Sequence, residues 1–215
     1  MTNTSATGGY LVPNTAPAPA PLEGAALEDF IGDVLAAITG LDRDTEVLPR
    51  WQPEPPNIPE AGEVWMAFGF QPDRTTDTFP YVGHNAGDGI DDPNAYDEIQ
   101  RNEYLPTLCS IYGLGAGSDA DKVAALLYDG LIIAQNREEL MAQGFTVTSI
   151  DPPLPVPSLL KLRWLYRVDL TIHFRRMIVR QYPILNVKSV PATLEVQAEQ
   201  GGNEPYEVDI NVIGG

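Results

Sequence analysis

Residues 161–181 constrain the fold of this chain more than any other stretch. Leu162, Trp164, Tyr166, Val168, Leu170, Ile172, Phe174 and Ile178 fall on one side of a two-residue period. Lys161, Arg163, Arg167, Asp169, Thr171, His173 and Arg175 fall on the other. Successive side chains on a β-strand point to opposite faces, so this pattern describes a strand with one dry and one polar face. Such a strand belongs in an antiparallel sheet whose second side is solvated or covered by a partner. At about 3.3 Å per residue the run is roughly 65 Å long, so it must bend, break or project beyond an ordinary domain.

The rest of the chain supplies a helical layer and further strands. Leu27, Phe30, Ile31, Val34, Leu35 and Ile38 keep the spacing of one helical face, which predicts a helix over 25–39 that stops at Gly40. A second helix is expected over 118–143, with Ser118 as its cap, Asp119 and Asp121 in the first turn and a bend near Gly130. Strands are expected at 47–51, 63–71, 98–112, 146–150, 187–196 and 206–212. Residues 72–97 read as one long polar loop, and the prolines at 152–157 as a strand break. The expected class is α+β: a mainly antiparallel sheet packed against two helices, with an extended N-terminal arm. The boundaries are an arm over 1–22, a single α+β domain over 23–197, and an acidic C-terminal extension or final strand over 198–215. In the arm, Tyr10-Leu11-Val12 follows Gly8-Gly9, and Pro17, Pro19 and Pro21 favour an extended chain.

Charge limits the function. Thirteen Lys and Arg face 30 Asp and Glu, a formal net of -17. Tight nucleic-acid binding over the whole surface requires the opposite sign. Residues 161–190 nevertheless hold 7 basic groups and 1 acidic group, while residues 191–215 hold 5 acidic groups and no basic ones. A basic band within an acidic chain suits a self-complementary or partner-facing surface. The lone cysteine, Cys109, excludes an internal disulfide and a cysteine-based zinc site, and its apolar strand suggests a buried structural thiol. No apolar run is long enough to span a membrane, and no basic, apolar leader opens the chain, which points to synthesis in the cytoplasm.

Catalytic and cofactor motifs are weak. Only His84 and His173 are available as histidines, and no G-x-S-x-G elbow or phosphate-binding P-loop occurs. Gly113-Leu114-Gly115-Ala116-Gly117 lacks the spaced third glycine of a dinucleotide fingerprint and reads as a loop entering a helix. The acidic loop 88–92 departs from EF-hand spacing, and a solvated loop is the favoured reading over a cation site. No catalytic residue, metal or cofactor is therefore assigned.

The order of elements resembles the terminator proteins of tailed bacteriophages. Thr7-Gly8-Gly9-Tyr10-Leu11-Val12-Pro13, the Trp65-Met66-Ala67-Phe68 strand and the Trp164-to-Arg176 strand are similar to those of the phage neck terminator family in particular. The resemblance covers residues 7–197. It implies a non-enzymatic virion protein of the neck, made in the host cytoplasm, that forms a homo-oligomeric ring, usually a hexamer. Such a ring caps the tail tube, meets the head–tail connector or adaptor protein and a tail tube or sheath protein, and leaves a channel through which DNA passes without specific binding. Contacts with neighbours are then expected at Gly8, Gly9, Tyr10, Leu11 and Val12 of the arm. They are also expected at Arg163, Arg167, Arg175, Arg176 and Arg180 of the basic band. Acidic side chains would line the channel. The alternatives are another head–tail adaptor or collar protein, a small hydrolase using His84, or an acidic regulatory domain that binds a basic protein.

Overall fold

The computed structural model describes residues 9–13, 21–51, 63–87, 92, 94–113, 119–160 and 163–184. Three helices and eight strands follow one another: α1 (Ala25–Thr39), β1 (Val47–Pro49), β2 (Trp65–Phe70), β3 (Thr75–Thr76), β4 (Tyr81–Asn85), β5 (Tyr96–Gly113), α2 (Asp119–Gly130), α3 (Ala134–Ala142), β6 (Phe145–Ile150), β7 (Leu154–Leu160) and β8 (Arg163–Tyr182). The strands form one mostly antiparallel sheet in the order β1-β2-β5-β8-β6; β3 and β4 also pair with β5, and β7 with β8. β1 runs parallel to β2. The fold is α+β, as the sequence suggested.

The chain divides into two compact units. The larger comprises 15–81 and 99–179, and holds all three helices and most of the sheet. The smaller comprises 1–14, 82–98 and 180–215. Among its described residues are most of β4, the first residues of β5 and the last of β8. The strands expected at 187–196 and 206–212 lie outside the described residues.

In the larger unit the core lies between the helices and one face of the sheet. Leu27, Ile31 and Leu35 of α1, Val123 and Leu127 of α2, and Leu140 of α3 are buried there. Met66 and Phe68 of β2, Leu105, Cys109 and Ile111 of β5, and Val168, Leu170, Ile172 and Phe174 of β8 meet them. Each fully buried aliphatic or aromatic side chain contributes about 2 kcal/mol by leaving water. Phe145 anchors one end: its ring lies 5.3 Å from that of Phe30 and meets Phe174 edge-on at 6.4 Å. α1 ends as its sequence dictates, with Gly40 in the left-handed region and its N–H bonded to the Ala36 carbonyl at 2.8 Å.

Three expectations are corrected. The single helix over 118–143 is two helices, broken after Gly130. A Cβ at position 130 would fall 2.4 Å from Cγ2 of Ile38, so glycine lets α2 approach α1 closely. The polar stretch 72–97 is not one irregular loop, because it contains β3 and β4. The proline-rich segment ends β6 at Ile150, as expected, but it does not stay outside the sheet: β7 runs through Pro155 and Pro157, which sit opposite Val168 and Tyr166. The two prolines are two residues apart, so the missing donors lie on one edge and the alternate residues can still bond to β8.

Candidate interaction surface

The long β8 sorts its arginines by parity. Val168, Leu170, Ile172, Phe174, Arg176 and Ile178 are buried on the helix side. Arg167, Asp169, Thr171, His173 and Arg175 alternate with them on the open side. Arg176 is therefore not available to a neighbour, which corrects the expectation for that residue. Its Nε donates to Glu103 Oε2 at 2.5 Å, and side-chain exposures are 3% for Arg176 and 5% for Glu103. Nη1 of Arg176 donates to the carbonyl of Leu22, the last residue of the predicted arm. Its guanidinium also lies 5.7 Å from the Phe145 ring centre. Arg74 bonds the other oxygen of Glu103 through Nε, at 2.7 Å, and through Nη2. Burial opposes ionisation of Glu103, but the hydrogen bonds and charges of Arg74 and Arg176 outweigh it and hold the carboxyl below its ordinary range.

The open side keeps its cations nearer the surface. Nη2 of Arg167 donates to Asp169 Oδ2 at 2.9 Å, while Arg167 Nε and Asp169 Oδ1 are buried without a hydrogen-bond partner among the described residues. Arg175 is exposed. It adds attraction to Asp77, whose carboxyl is held below its ordinary range mainly by the Asn102 backbone N–H and then by the Asn102 side-chain amide. Arg163 pairs through β8 with Leu160 of β7, and its side chain lies outside the described residues. Arg180 is half-buried in the smaller unit. Of the arm residues, Gly8 lies outside the described residues; Gly9 and Tyr10 are exposed, Leu11 is half-buried and Val12 is exposed.

The sheet contributes one residue that the sequence did not single out. Arg50, just after β1, donates from Nη2 to Ser110 Oγ at 2.7 Å and forms no ion pair among the described residues. Gly69 makes room for it, since a Cβ there would lie 3.0 Å from Cβ of Arg50. Beside it, the ring of Trp65 stacks on Tyr112 with centres 4.1 Å apart and planes 9° from parallel. Arg50, Arg167, Trp65, Tyr112, Leu48 and Pro49 line a cavity of about 270 Å³, two guanidinium groups set over an apolar wall. No local motif announces this site. Arg50 and Arg167 are brought together by strand pairing, through β1, β2, β5 and β8.

The residues considered for chemistry are placed differently. His84 Nδ1 lies 2.6 Å from Asp97 Oδ1 in the smaller unit, and His173 Nε2 lies 3.3 Å from Asp151 Oδ1 in the larger. Cys109 is fully buried, and burial pushes its thiol up to about 12 against the attraction of Arg50, so it stays protonated at neutral pH. Of the acidic loop 88–92, only Asp92 is described, and its Oδ1 accepts from the backbone and side-chain N–H groups of Asn94. Residues 114–117 of the glycine-rich segment lie outside the described residues. No group of three or more metal-ligating side chains occurs among the described residues.

A family model described as phage neck terminator protein matches residues 25–199. The chain belongs to the phage neck terminator protein family. The match begins at the first residue of α1 and takes in every described helix and strand. The arm before residue 25 lies outside it. No curated protein matches the chain. Membership makes this a structural protein of the phage tail and neck, carried in the virion and in contact with other head–tail proteins. No described helix is long and apolar enough to cross a membrane.

Proposed function

We propose that this neck terminator protein forms a closed ring, six copies in the expected form, at the head-proximal end of the tail. The ring ends the tail tube or sheath, joins it to the head connector, and encloses the channel for DNA. One observation carries the reading. In a chain of net charge -17, the open face of the sheet displays Arg50, which has no carboxylate partner among the described residues, and Arg167, which is paired there only with Asp169. A ring built head-to-tail needs two different complementary patches on each copy, and a basic sheet face with an acidic body is such a pair.

Two further features belong to the proposal. The acidic excess lets DNA pass the channel without being held, because phosphate binding depends on cationic partners. The arm over 8–22 docks on an adjacent copy or ring, adding contact area from an extended segment. The role is structural and requires no catalytic residue or cofactor. The test is the mass of the purified protein by light scattering over a wide concentration range, with electron micrographs of the largest species, alone and with added tail tubes. Closed rings near six copies support the reading. A strict monomer under both conditions overturns it.

A further inference from the structure

We infer that the cavity between Arg50 and Arg167 takes the acidic segment 204–213 of a second copy of this chain. The inference rests on the ring reading and specifies one of its contacts. The cavity presents two kinds of surface at once. Among the described residues the Arg50 side chain donates to a neutral hydroxyl alone, and Arg167, with a quarter of its side chain exposed, pairs only with Asp169 through Nη2. The Trp65–Tyr112 stack and Leu48 supply an apolar wall beside them. A carboxylate next to an apolar side chain satisfies both, and charge-assisted bonds to guanidinium are the stronger kind.

Residues 204–213 carry that combination in series. Glu207 and Asp209 alternate with Tyr206, Val208 and Ile210, and no basic residue occurs anywhere in 191–215. A strand entering the cavity edge-on turns Glu207 or Asp209 toward the two guanidinium groups and Val208 toward Trp65. Reach is sufficient: at about 3.3 Å per extended residue the chain from Ile184 to Glu207 spans up to roughly 75 Å. Occupation by a second copy follows from the two-patch logic of a head-to-tail ring, in which each copy gives its acidic segment and receives another.

The test uses full-length chains. Copies carrying Ala67→Cys, at the cavity, and copies carrying Val208→Cys are purified separately, mixed and mildly oxidised; native Cys109 is buried and does not compete. A disulfide-linked heterodimer is expected, seen on a non-reducing gel and identified by mass spectrometry. Its yield should fall at least tenfold when Arg50→Glu is added to the Ala67→Cys copy, and recover when Glu207→Arg is added to the Val208→Cys copy. Mixing Val208→Cys with Leu126→Cys, on the exposed side of α2, sets the background. A heterodimer yield no higher than that background overturns the inference. So does a double variant, Ala67→Cys with Val208→Cys, that closes its disulfide only within one chain. Light scattering on the same mixtures separates the two levels of the account. Rings without the disulfide sink the cavity assignment alone, whereas monomers throughout sink the ring as well.

Discussion

Arg167 and Arg176 lie on one strand and have opposite surroundings. Arg176 points into the helix-covered face, is 3% exposed, and is held by Glu103 and the Leu22 carbonyl. Arg167 points to the open face, keeps 25% of its side chain exposed, and among the described residues is paired only with Asp169. The difference teaches that charge on β8 has two separate uses. On the inner face it closes the fold around a buried carboxylate and fixes the point where the arm meets α1. On the outer face it remains available for assembly. Removing one partner of a buried pair is costly because the other charge is left uncompensated, whereas a surface cation adds little to stability.

Variants of the two faces should separate accordingly. Arg176→Met is expected to show the largest loss, about 3 kcal/mol, because Glu103 keeps only Arg74. In a chain of this size that lowers Tm by roughly 6–12 °C, measurable by calorimetry. An unchanged Tm would break the distinction between the faces. Gly130→Ala should cost on the order of 1 kcal/mol in urea unfolding: the added methyl meets Ile38, and better helix propensity offsets part of the overpacking. A gain in stability would show that α1 and α2 pack more loosely than described.

Acid should weaken the inner face selectively. The folded-state pKa of Glu103 is depressed, so its contribution is complete above the ordinary value of 4.5 and is lost as pH falls through the lower folded value. Urea midpoints measured from pH 7 to pH 3 should hold nearly level to about pH 5 and decline below it as Glu103 protonates, and Glu103→Gln should flatten that decline while being less stable at pH 7. An equal slope in the variant would assign the acid sensitivity to other carboxylates. Arg50→Ala should have the smallest effect on stability, within about 0.5 kcal/mol, because among the described residues its side chain bonds only a neutral hydroxyl. A loss above 1 kcal/mol would make Arg50 a folding residue.

Period and punctuation made much of the larger unit legible. The stripe from Leu27 to Ile38 with Gly40 behind it defines α1 to the residue, and strict alternation from Val168 to Phe174 identifies the faces of β8. Alternation also contained the answer for Arg176, whose even position places it with Phe174 rather than with Arg175. Net charge alone grouped it with the outer arginines. Local signals failed where tertiary contact decides. β7 accepts Pro155 and Pro157 because β8 supplies its pairing on one side, and α2 breaks from α3 at a glycine that also admits Ile38. Arg50 carried no signal because its neighbours at the cavity, Ser110 and Arg167, come from distant strands.

The most direct test of the claim that the open face is the assembly face is charge reversal at its centre. Wild type and Arg50→Glu are compared by light scattering at matched concentrations, with circular dichroism to check the fold. The account predicts ring-sized mass for wild type and, for Arg50→Glu, a monomer with unchanged secondary structure. A variant that assembles as the wild type does would contradict it.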